Sequence, residues 1–165
     1  MQPVIRPARL SDVAAIAAAY GHAVRTSVAT FDVDDPPESY WAEKVSSVQP
    51  GDHVIVLELD GAVAGFAYST AFRPRPAYAG TRETSIYLGP DAVGHGWGRT
   101  TYTRLLDLVR SDGMHCAVAV VAQPNPASTA LHEALGFELI GTLREVGRKF
   151  DRWVDTRWYQ LMFGR

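Results

Sequence analysis

The sequence has little cysteine, no long apolar run and little net charge. Its one cysteine, Cys116, excludes an internal disulfide framework and thiolate metal clusters, which is typical of a reducing compartment. No run approaches the roughly 18 apolar residues of a membrane span, and residues 1–10 lack the apolar segment of a signal peptide. The formal charge of −2 gives no general attraction for nucleic acid or anionic membrane. We therefore expect a cytoplasmic protein without nucleic-acid or membrane partners.

The length and composition are those of an ordinary globular chain. Hydrophobic residues make up 47% and charged residues 21% of the 165 positions. This length is enough for one substantial core but short for two. We predict a single domain over residues 1–165.

The stretch from Glu83 to Leu106 predicts a strand, a glycine loop and a helix. Residues 84–89 are β-branched, aromatic or small, and alternating glycines follow at Gly94, Gly96 and Gly98. The next apolar residues have the spacing of one helix face. They are Tyr102, Leu105, Leu106 and Val109. Such a loop leaves backbone N–H groups free at a helix N-terminus, which suits a phosphate or pyrophosphate.

Two common kinds of phosphate loop are excluded by spacing. The dinucleotide-binding fingerprint needs a glycine at its sixth place, where this chain has Arg99 or Thr101, depending on the starting glycine. A P-loop needs a Gly-Lys pair, and the chain has none. A glycine-rich turn without any ligand stays open as the alternative.

The rest of the chain predicts an α/β protein with a mixed sheet. An opening strand at residues 4–8 precedes a helix that Ser11 or Asp12 can cap, and a second helix runs from Pro37 to Val45. Asp60-Gly61 predicts a hairpin of strands 53–59 and 63–71, followed by a loop over 72–80. The apolar residues 114–122 predict a buried strand, reached through a β-α-β crossover. A helix over 127–135 and strands 137–144 and 154–163 complete the pattern, with a loop or β-ribbon tip over 145–153.

Several segments together resemble a known superfamily. Its signature is Gln or Arg, two residues, Gly, one residue, then Gly or Ala; Gly96 and Gly98 match, whereas Val93 replaces the Gln or Arg. Further matches are ETSIY at residues 83–87, NPAS at 125–128, LHEALGF at 131–137, and the set of Lys149, Trp153 and Asp155. The chain resembles the GNAT superfamily of N-acetyltransferases, in particular its phosphinothricin and methionine sulfone branch, from about Ile5 to Phe163.

The resemblance implies the GNAT fold and acetyl-CoA as cosubstrate, without a metal. That fold is a mixed, mostly antiparallel twisted sheet of six or seven strands, splayed centrally, with helices on both faces. The pantetheine arm of acetyl-CoA would lie in the splay, next to the strand that carries Glu83. The cofactor-binding residues implied are Ile86, Tyr87 and Leu88 for the arm, Gly94, His95, Gly96, Trp97, Gly98 and Arg99 for the pyrophosphate, and Asn125 with Ser128 for the pantetheine amide.

By the same resemblance, Glu83 and His132 are the catalytic residues. Glu83 would remove a proton from the acceptor amine, and apolar surroundings would raise its pKa toward a useful value. A structural carboxylate paired with Arg82 or Arg75 is the alternative. His132 would give or relay a proton to the departing thiolate, or would merely form hydrogen bonds. It is not part of a zinc-binding helix motif, because Gly136 stands where the second histidine would be.

The resemblance also implies an acceptor pocket and a homodimer. Phe31 and Tyr87 would form pocket walls, Arg75 and Tyr78 would anchor a carboxylate or phosphinate, and Arg73 and Lys149 would add charge. The expected reaction is direct acetyl transfer to the amine of a small amino-acid-like substrate. Acetylation of a protein N-terminus or a polyamine, and a catalytically silent acyl-CoA-binding module, remain as alternatives.

Overall fold

The structure is a computed structural model that describes residues 2–164. The first and last residues of the predicted domain, Met1 and Arg165, lie outside the described part. The described residues form seven strands and four α-helices. The strands are β1 (Pro3–Pro7), β2 (His53–Leu59), β3 (Ala62–Ala71), β4 (Thr81–Leu88), β5 (Cys116–Ala122), β6 (Glu138–Lys149) and β7 (Arg152–Met162). The helices are α1 (Val13–Thr26), α2 (Glu38–Val45), α3 (Trp97–Ser111) and α4 (Pro126–Ala134). Within residues 2–164 no helix combines the length and apolar character needed to cross a bilayer.

All seven strands join one sheet in the order β1-β2-β3-β4-β5-β7-β6. Every neighbouring pair is antiparallel except β4 and β5, which are parallel. Helix α3 connects these two parallel strands, as a crossover must. The predicted mixed, mostly antiparallel sheet is confirmed.

The sheet opens between β4 and β5. Only three pairs join the two strands, the last of them Glu83 with Val118. Beyond that point β4 stays paired with β3 through Leu88, and β5 stays paired with β7 through Ala122. The central splay is therefore confirmed, and Glu83 lies where it begins.

Helices cover both faces of the sheet, each over its own apolar cluster. On one face α3 packs Tyr102, Leu105 and Val109 against the central strands. On the other face α1 and α2 bury Ile16 and Trp41. The two helix layers make opposite sides of β4 chemically distinct.

The C-terminal ribbon differs from its predicted boundaries. Strand β6 continues to Lys149 and turns through Phe150 and Asp151 directly into β7, so the ribbon alternative for residues 145–153 is correct and the loop alternative is wrong. Register shifts near Gly141 and Gly147 interrupt the alternation from which a strand is predicted.

The predicted cap of α1 is also wrong in its chemistry. The carboxylate of Asp12 accepts from the Arg6 guanidinium at 2.8 Å and from the backbone N–H of Arg9 at 2.7 Å, and neither Ser11 nor Asp12 caps α1 through its side chain.

Candidate active site

A cavity of about 540 Å³ occupies the opening between β4 and β5. Its walls are residues 84–88 of β4 and 120–122 of β5, and residues of α4 also contribute to the lining. Apolar and small side chains dominate this lining. An extended ligand with amide groups fits such a space, because the diverging strands leave backbone groups unpaired by each other.

The glycine loop lies at one end of the cavity, at the N-terminus of α3. Gly94 and Gly96 have φ angles of +86° and +77°, which glycine adopts without strain. A Cβ at either position would meet no protein atom within 4 Å, so the backbone faces open space. Gly94, Gly96, Gly98 and Arg99 line the cavity. Backbone N–H groups at the start of this 15-residue helix are suited to a pyrophosphate.

Two loop residues predicted to bind the cofactor turn their side chains elsewhere. The rings of His95 and Trp97 stack on each other at 4.5 Å and do not line the cavity. Trp97 packs instead against the apolar cluster of Leu57, Leu59 and Ala92. Their backbone groups remain available for a phosphate.

Asn125 and Ser128 lie together at the start of α4 and line the cavity. The Asn125 side-chain oxygen accepts a hydrogen bond from the Ser128 backbone N–H at 3.0 Å and so caps the helix. The cap engages only the oxygen of the amide. The nitrogen of the same group can therefore donate to a ligand carbonyl.

Glu83 lies at the apex of the splay on the α1 and α2 side of the sheet. Its side chain is 33% exposed, and its carboxylate is 4.0 Å from the Arg73 guanidinium. Burial raises the pKa of Glu83, while the charges of Arg73 and Lys44 oppose the rise. The alternative was a carboxylate paired with Arg82 or Arg75. In the described residues Glu83 has its ion-pair contact with Arg73 and none with Arg75, and Arg82 lies against Asp52, 3.4 Å away.

His132 belongs to a buried chain of hydrogen bonds on the opposite, α3 side. The Thr84 hydroxyl lies 2.7 Å from the Tyr102 hydroxyl, which is 3.1 Å from His132 Nε2. His132 Nδ1 lies 2.7 Å from the Ser128 carbonyl oxygen and must donate to it, so Nε2 accepts from Tyr102. Burial lowers the pKa of His132, which keeps the imidazole neutral.

Two residues of this hydrogen-bonded series, Tyr102 and Thr84, were not predicted from the sequence to take part in it. Tyr102 was predicted only as an apolar core residue of α3, and Thr84 only as part of a strand. A tyrosine on a buried helix face was the available signal, because its hydroxyl needs a partner. The partner itself comes from another strand and has no local signature.

The predicted acceptor residues differ in their surroundings. Tyr87 is half-buried, packs between the rings of Tyr20 and Phe66 at 5.0 and 5.5 Å, and lines the cavity. Phe31 lies over Gly147 of β6, where an added Cβ would be 2.2 Å from its ring. Neither Phe31 nor the exposed pair of Arg75 and Tyr78 lines the cavity.

Lys149, predicted to add charge to the acceptor pocket, also has a structural contact. Its side chain is buried, and its ammonium group donates to the Thr30 carbonyl oxygen at 2.7 Å. This hydrogen bond secures the loop of residues 27–35 to the ribbon. In the described residues no group of three His, Cys, Asp or Glu side chains is placed to hold a metal ion.

A splayed parallel strand pair, a glycine loop at a helix N-terminus and a carboxylate at the apex define a protein of the acyl-CoA-dependent transferase class. Residues 20–137 match the Acetyltransferase (GNAT) family. The chain belongs to this family.

The relatives it resembles include enzymes named for small amino-acid analogues. It is 38% identical to the phosphinothricin N-acetyltransferase of Streptomyces coelicolor, over 94% of this chain and 94% of that protein. It is 34% identical to an L-methionine sulfoximine/L-methionine sulfone acetyltransferase of Pseudomonas paraeruginosa, over 98% and 95%. The crystal structure of a phosphinothricin acetyltransferase of Sinorhizobium meliloti in complex with acetyl-CoA superposes with a TM-score of 0.93 at 37% identity, covering 99% of this chain and 90% of that one.

Proposed function

We propose that this enzyme transfers the acetyl group of acetyl-CoA to the amine of a small amino acid or amino-acid analogue, such as phosphinothricin, methionine sulfone or methionine sulfoximine. The observation that carries the proposal is the opening of the sheet directly after Glu83. Glu83 itself does not line the cavity, but the next residue, Thr84, does, so the carboxylate lies next to a space fit for pantetheine. The named substrates of the relatives support the choice of acceptor.

Acetyl-CoA supplies an activated acetyl group, and the chain holds it. Backbone groups of Ile86, Tyr87 and Leu88 would pair with the pantetheine arm, and the loop from Gly94 to Arg99 would bind the pyrophosphate. The N–H of Leu88 would donate to the carbonyl oxygen on which negative charge develops. Asn125 would donate to a pantetheine carbonyl through its free amide nitrogen.

Glu83 would prepare the acceptor for attack. An amine with a pKa of about 8 to 10 is mostly protonated at neutral pH and has no lone pair to offer. Because burial raises the pKa of Glu83, its carboxylate is a stronger base than an exposed one. The departing thiolate would take up a proton relayed along the hydroxyls of Thr84 and Tyr102, which are hydrogen-bonded to each other. His132 would orient this relay and not supply the proton, because its one N–H is held by the Ser128 carbonyl and its Nε2 accepts from Tyr102.

The Glu83→Gln variant tests this assignment. We expect kcat/KM for methionine sulfone at neutral pH to fall by about 10²- to 10⁴-fold, the usual worth of a general base, with acetyl-CoA affinity unchanged. In the unaltered enzyme kcat/KM should fall toward acid with an apparent pKa above the ordinary 4.5 of glutamate. Glu38→Gln, at an exposed carboxylate of α2, is the control. Equal loss of turnover and acetyl-CoA binding would mean that Glu83 is structural.

A silent acyl-CoA-binding module is the second candidate, and Val93 favours it. This exposed residue at the cavity replaces the Gln or Arg of the superfamily signature. Release of free thiol from acetyl-CoA in the presence of phosphinothricin or methionine sulfone separates the two. Binding of CoA without thiol release for any amino acid, amino-acid analogue, polyamine or peptide N-terminus would favour the module.

The assembly we propose is a homodimer of single-domain chains, each a GNAT domain over residues 1–165. An apolar surface at the end of the sheet supports the dimer. Its residues, here called the ribbon patch, are Leu139, Ile140, Leu143, Val146, Phe150 and Trp153. We place the enzyme in the cytoplasm, since its one cysteine, Cys116, is buried and unpaired.

A further inference from the structure

Lys44 of α2 is a half-buried cation in an aromatic setting. Its ammonium nitrogen is 4.7 Å from the ring centre of Tyr40 and 5.4 Å from that of Tyr68. The hydroxyl of Thr70 lies 3.5 Å from it, at the limit of a hydrogen bond. Burial lowers the pKa of Lys44, because the aromatic rings and the sheet replace water around the charge.

The sheet register brings this ammonium group to the catalytic side of β4. Thr70 on β3 pairs directly with Glu83 on β4, so the two side chains are cross-strand neighbours. The positive charge of Lys44 is close enough to oppose the rise in the pKa of Glu83. A cation and the general base thus share one face of the sheet at the start of the splay.

Lys44 has no carboxylate of its own. Among the ion pairs of residues 2–164, Glu83 is within 4.0 Å of Arg73, and Lys44 is within that distance of no acidic group. A half-buried ammonium without an anion is costly unless a ligand supplies one. The remaining N–H donors of Lys44 are therefore available to an anion bound beside Glu83.

We propose that Lys44 binds the α-carboxylate of the acceptor and so selects amino acids over simple amines. The inference rests on the proposed function and deepens it. In an α-amino acid one carbon separates the amine from the carboxylate, so an amine at Glu83 brings the carboxylate into reach of a neighbouring cation. Polyamines and amino amides lack this anion. A second ammonium group would be repelled by Lys44, and an amide oxygen would offer it only a neutral hydrogen-bond acceptor.

The test compares methionine sulfone with its primary amide, which keeps the amine and the side chain but lacks the carboxylate. Lys44→Met removes the charge and keeps the apolar stem. We expect KM for methionine sulfone to rise by about 10- to 100-fold, the worth of a hydrogen bond between charged groups, with a smaller change in kcat. For the amide, kcat/KM should change less than about threefold. Lys44→Arg should retain much of the preference for the acid.

Two controls separate selection from other effects. Arg9→Met removes an exposed cation outside the cavity and should leave both substrates unaffected. Unchanged acetyl-CoA affinity of Lys44→Met shows that the variant is folded. The proposal would be overturned if kcat/KM fell equally for methionine sulfone and its amide. It would also be overturned if KM were unchanged and only the acidic side of the pH profile of kcat/KM shifted, which would leave Lys44 as a modulator of Glu83.

A binding experiment removes the dependence on turnover. Calorimetry of methionine sulfone with CoA-loaded Glu83→Gln measures the acceptor site without turnover, because CoA carries no acetyl group to transfer. Adding Lys44→Met should weaken this binding by about 10-fold or more. Unchanged affinity would refute the role of Lys44, whereas binding without turnover in the unaltered enzyme would refute only the proposed function.

Discussion

His132 is held through both ring nitrogens, and this fixes its charge state in the folded protein. Nδ1–H donates to the Ser128 carbonyl, and Nε2 accepts from Tyr102. A proton added to Nε2 would oppose the Tyr102 donor and would be buried away from water. The lowered pKa of His132 is the consequence.

This arrangement predicts a loss of stability on the acid side. The pKa of His132 lies below its ordinary 6.5 in the folded state, so between the two values the unfolded chain binds more protons. The contribution of His132 to the free energy of unfolding is therefore complete above pH 6.5. It is lost as the pH falls from 6.5 through the pKa of His132 in the folded state. Because one proton is involved, the free energy of unfolding should change by at most about 1.4 kcal/mol per pH unit.

Urea unfolding at a series of pH values between 5 and 8 measures this effect. Replacing the imidazole in His132→Asn should flatten the pH dependence relative to the unaltered protein. His22→Asn, at an exposed histidine of α1, should leave it as it was. If the His132 and His22 variants had the same slope, the imidazole would not be the titrating group.

The residues that could be predicted are those whose role is written in local spacing. Gly94 and Gly96 stand out because alternating glycines precede a helical pattern, whereas Glu83 and His132 are assigned roles only through the family resemblance. Lys44 and Tyr102 could not be assigned a role, because the role of each depends on a partner on another element. Lys44 contacts Thr70, the cross-strand neighbour of Glu83. Tyr102 contacts both Thr84 and His132. Pairing across a sheet has no signature along the chain.

At the scale of elements, the glycine loop before α3 combines a backbone requirement with a binding requirement. Gly96 occupies the last position before the helix with φ of +77°, and no protein atom lies within 4 Å of an added Cβ. A side chain there costs about 1–2 kcal/mol in backbone strain. In addition, it would project into the space that the pyrophosphate is expected to fill.

Gly96→Ala should therefore lose both stability and ligand affinity. We expect about 1–2 kcal/mol less free energy of unfolding, together with at least about a tenfold weaker acetyl-CoA affinity by calorimetry, for a loss of about 1.4 kcal/mol in binding. Gly61→Ala is a matched control, because Gly61 has φ of +85° and open space but lies in the β2–β3 turn, outside the cavity. Gly61→Ala should lower the free energy of unfolding through backbone strain but leave the affinity for acetyl-CoA unchanged. Equal affinities for the two variants would argue against pyrophosphate binding at this loop.

The elements themselves were predictable where one physical signal dominated. Asp60-Gly61 correctly marked the β2–β3 hairpin, and Pro37 correctly marked the start of α2. The continuous β6–β7 ribbon was left open, because register shifts near Gly141 and Gly147 break the alternation of apolar residues. Its exposed apolar side chains have no core to face in a single chain.

For the whole molecule, the ribbon patch bears on assembly. Its six large apolar side chains are 46–62% exposed, and β6 is the last strand of the sheet. Edge strands are usually protected by charge or irregularity, so an apolar edge marks an interaction surface. A second copy suits this edge, since antiparallel pairing about a two-fold axis at Leu143 would place Glu138 opposite Arg148.

The same ribbon supports the active site, which connects assembly to function. Lys149 binds the Thr30 carbonyl, and Gly147 lies under Phe31. Both contacts hold the loop of residues 27–35, whose Ala29 lines the cavity between β4 and β5. Covering the ribbon with a second chain would stabilise this loop.

Ile140→Lys places a charge in the middle of the ribbon patch and tests the dimer directly. Sedimentation of the unaltered protein should give twice the mass of one 18.0 kDa chain, and the variant should sediment as a monomer at the same concentration. Val48→Lys is the matched control, because Val48 is 91% exposed on the α2–β2 loop, away from the patch. A monomer for the unaltered protein, or a dimer that survives Ile140→Lys, would assign the ribbon patch to another role. If the dimer also orders the loop, the monomeric variant should bind acetyl-CoA more weakly, because part of the binding free energy would be spent on fixing residues 27–35.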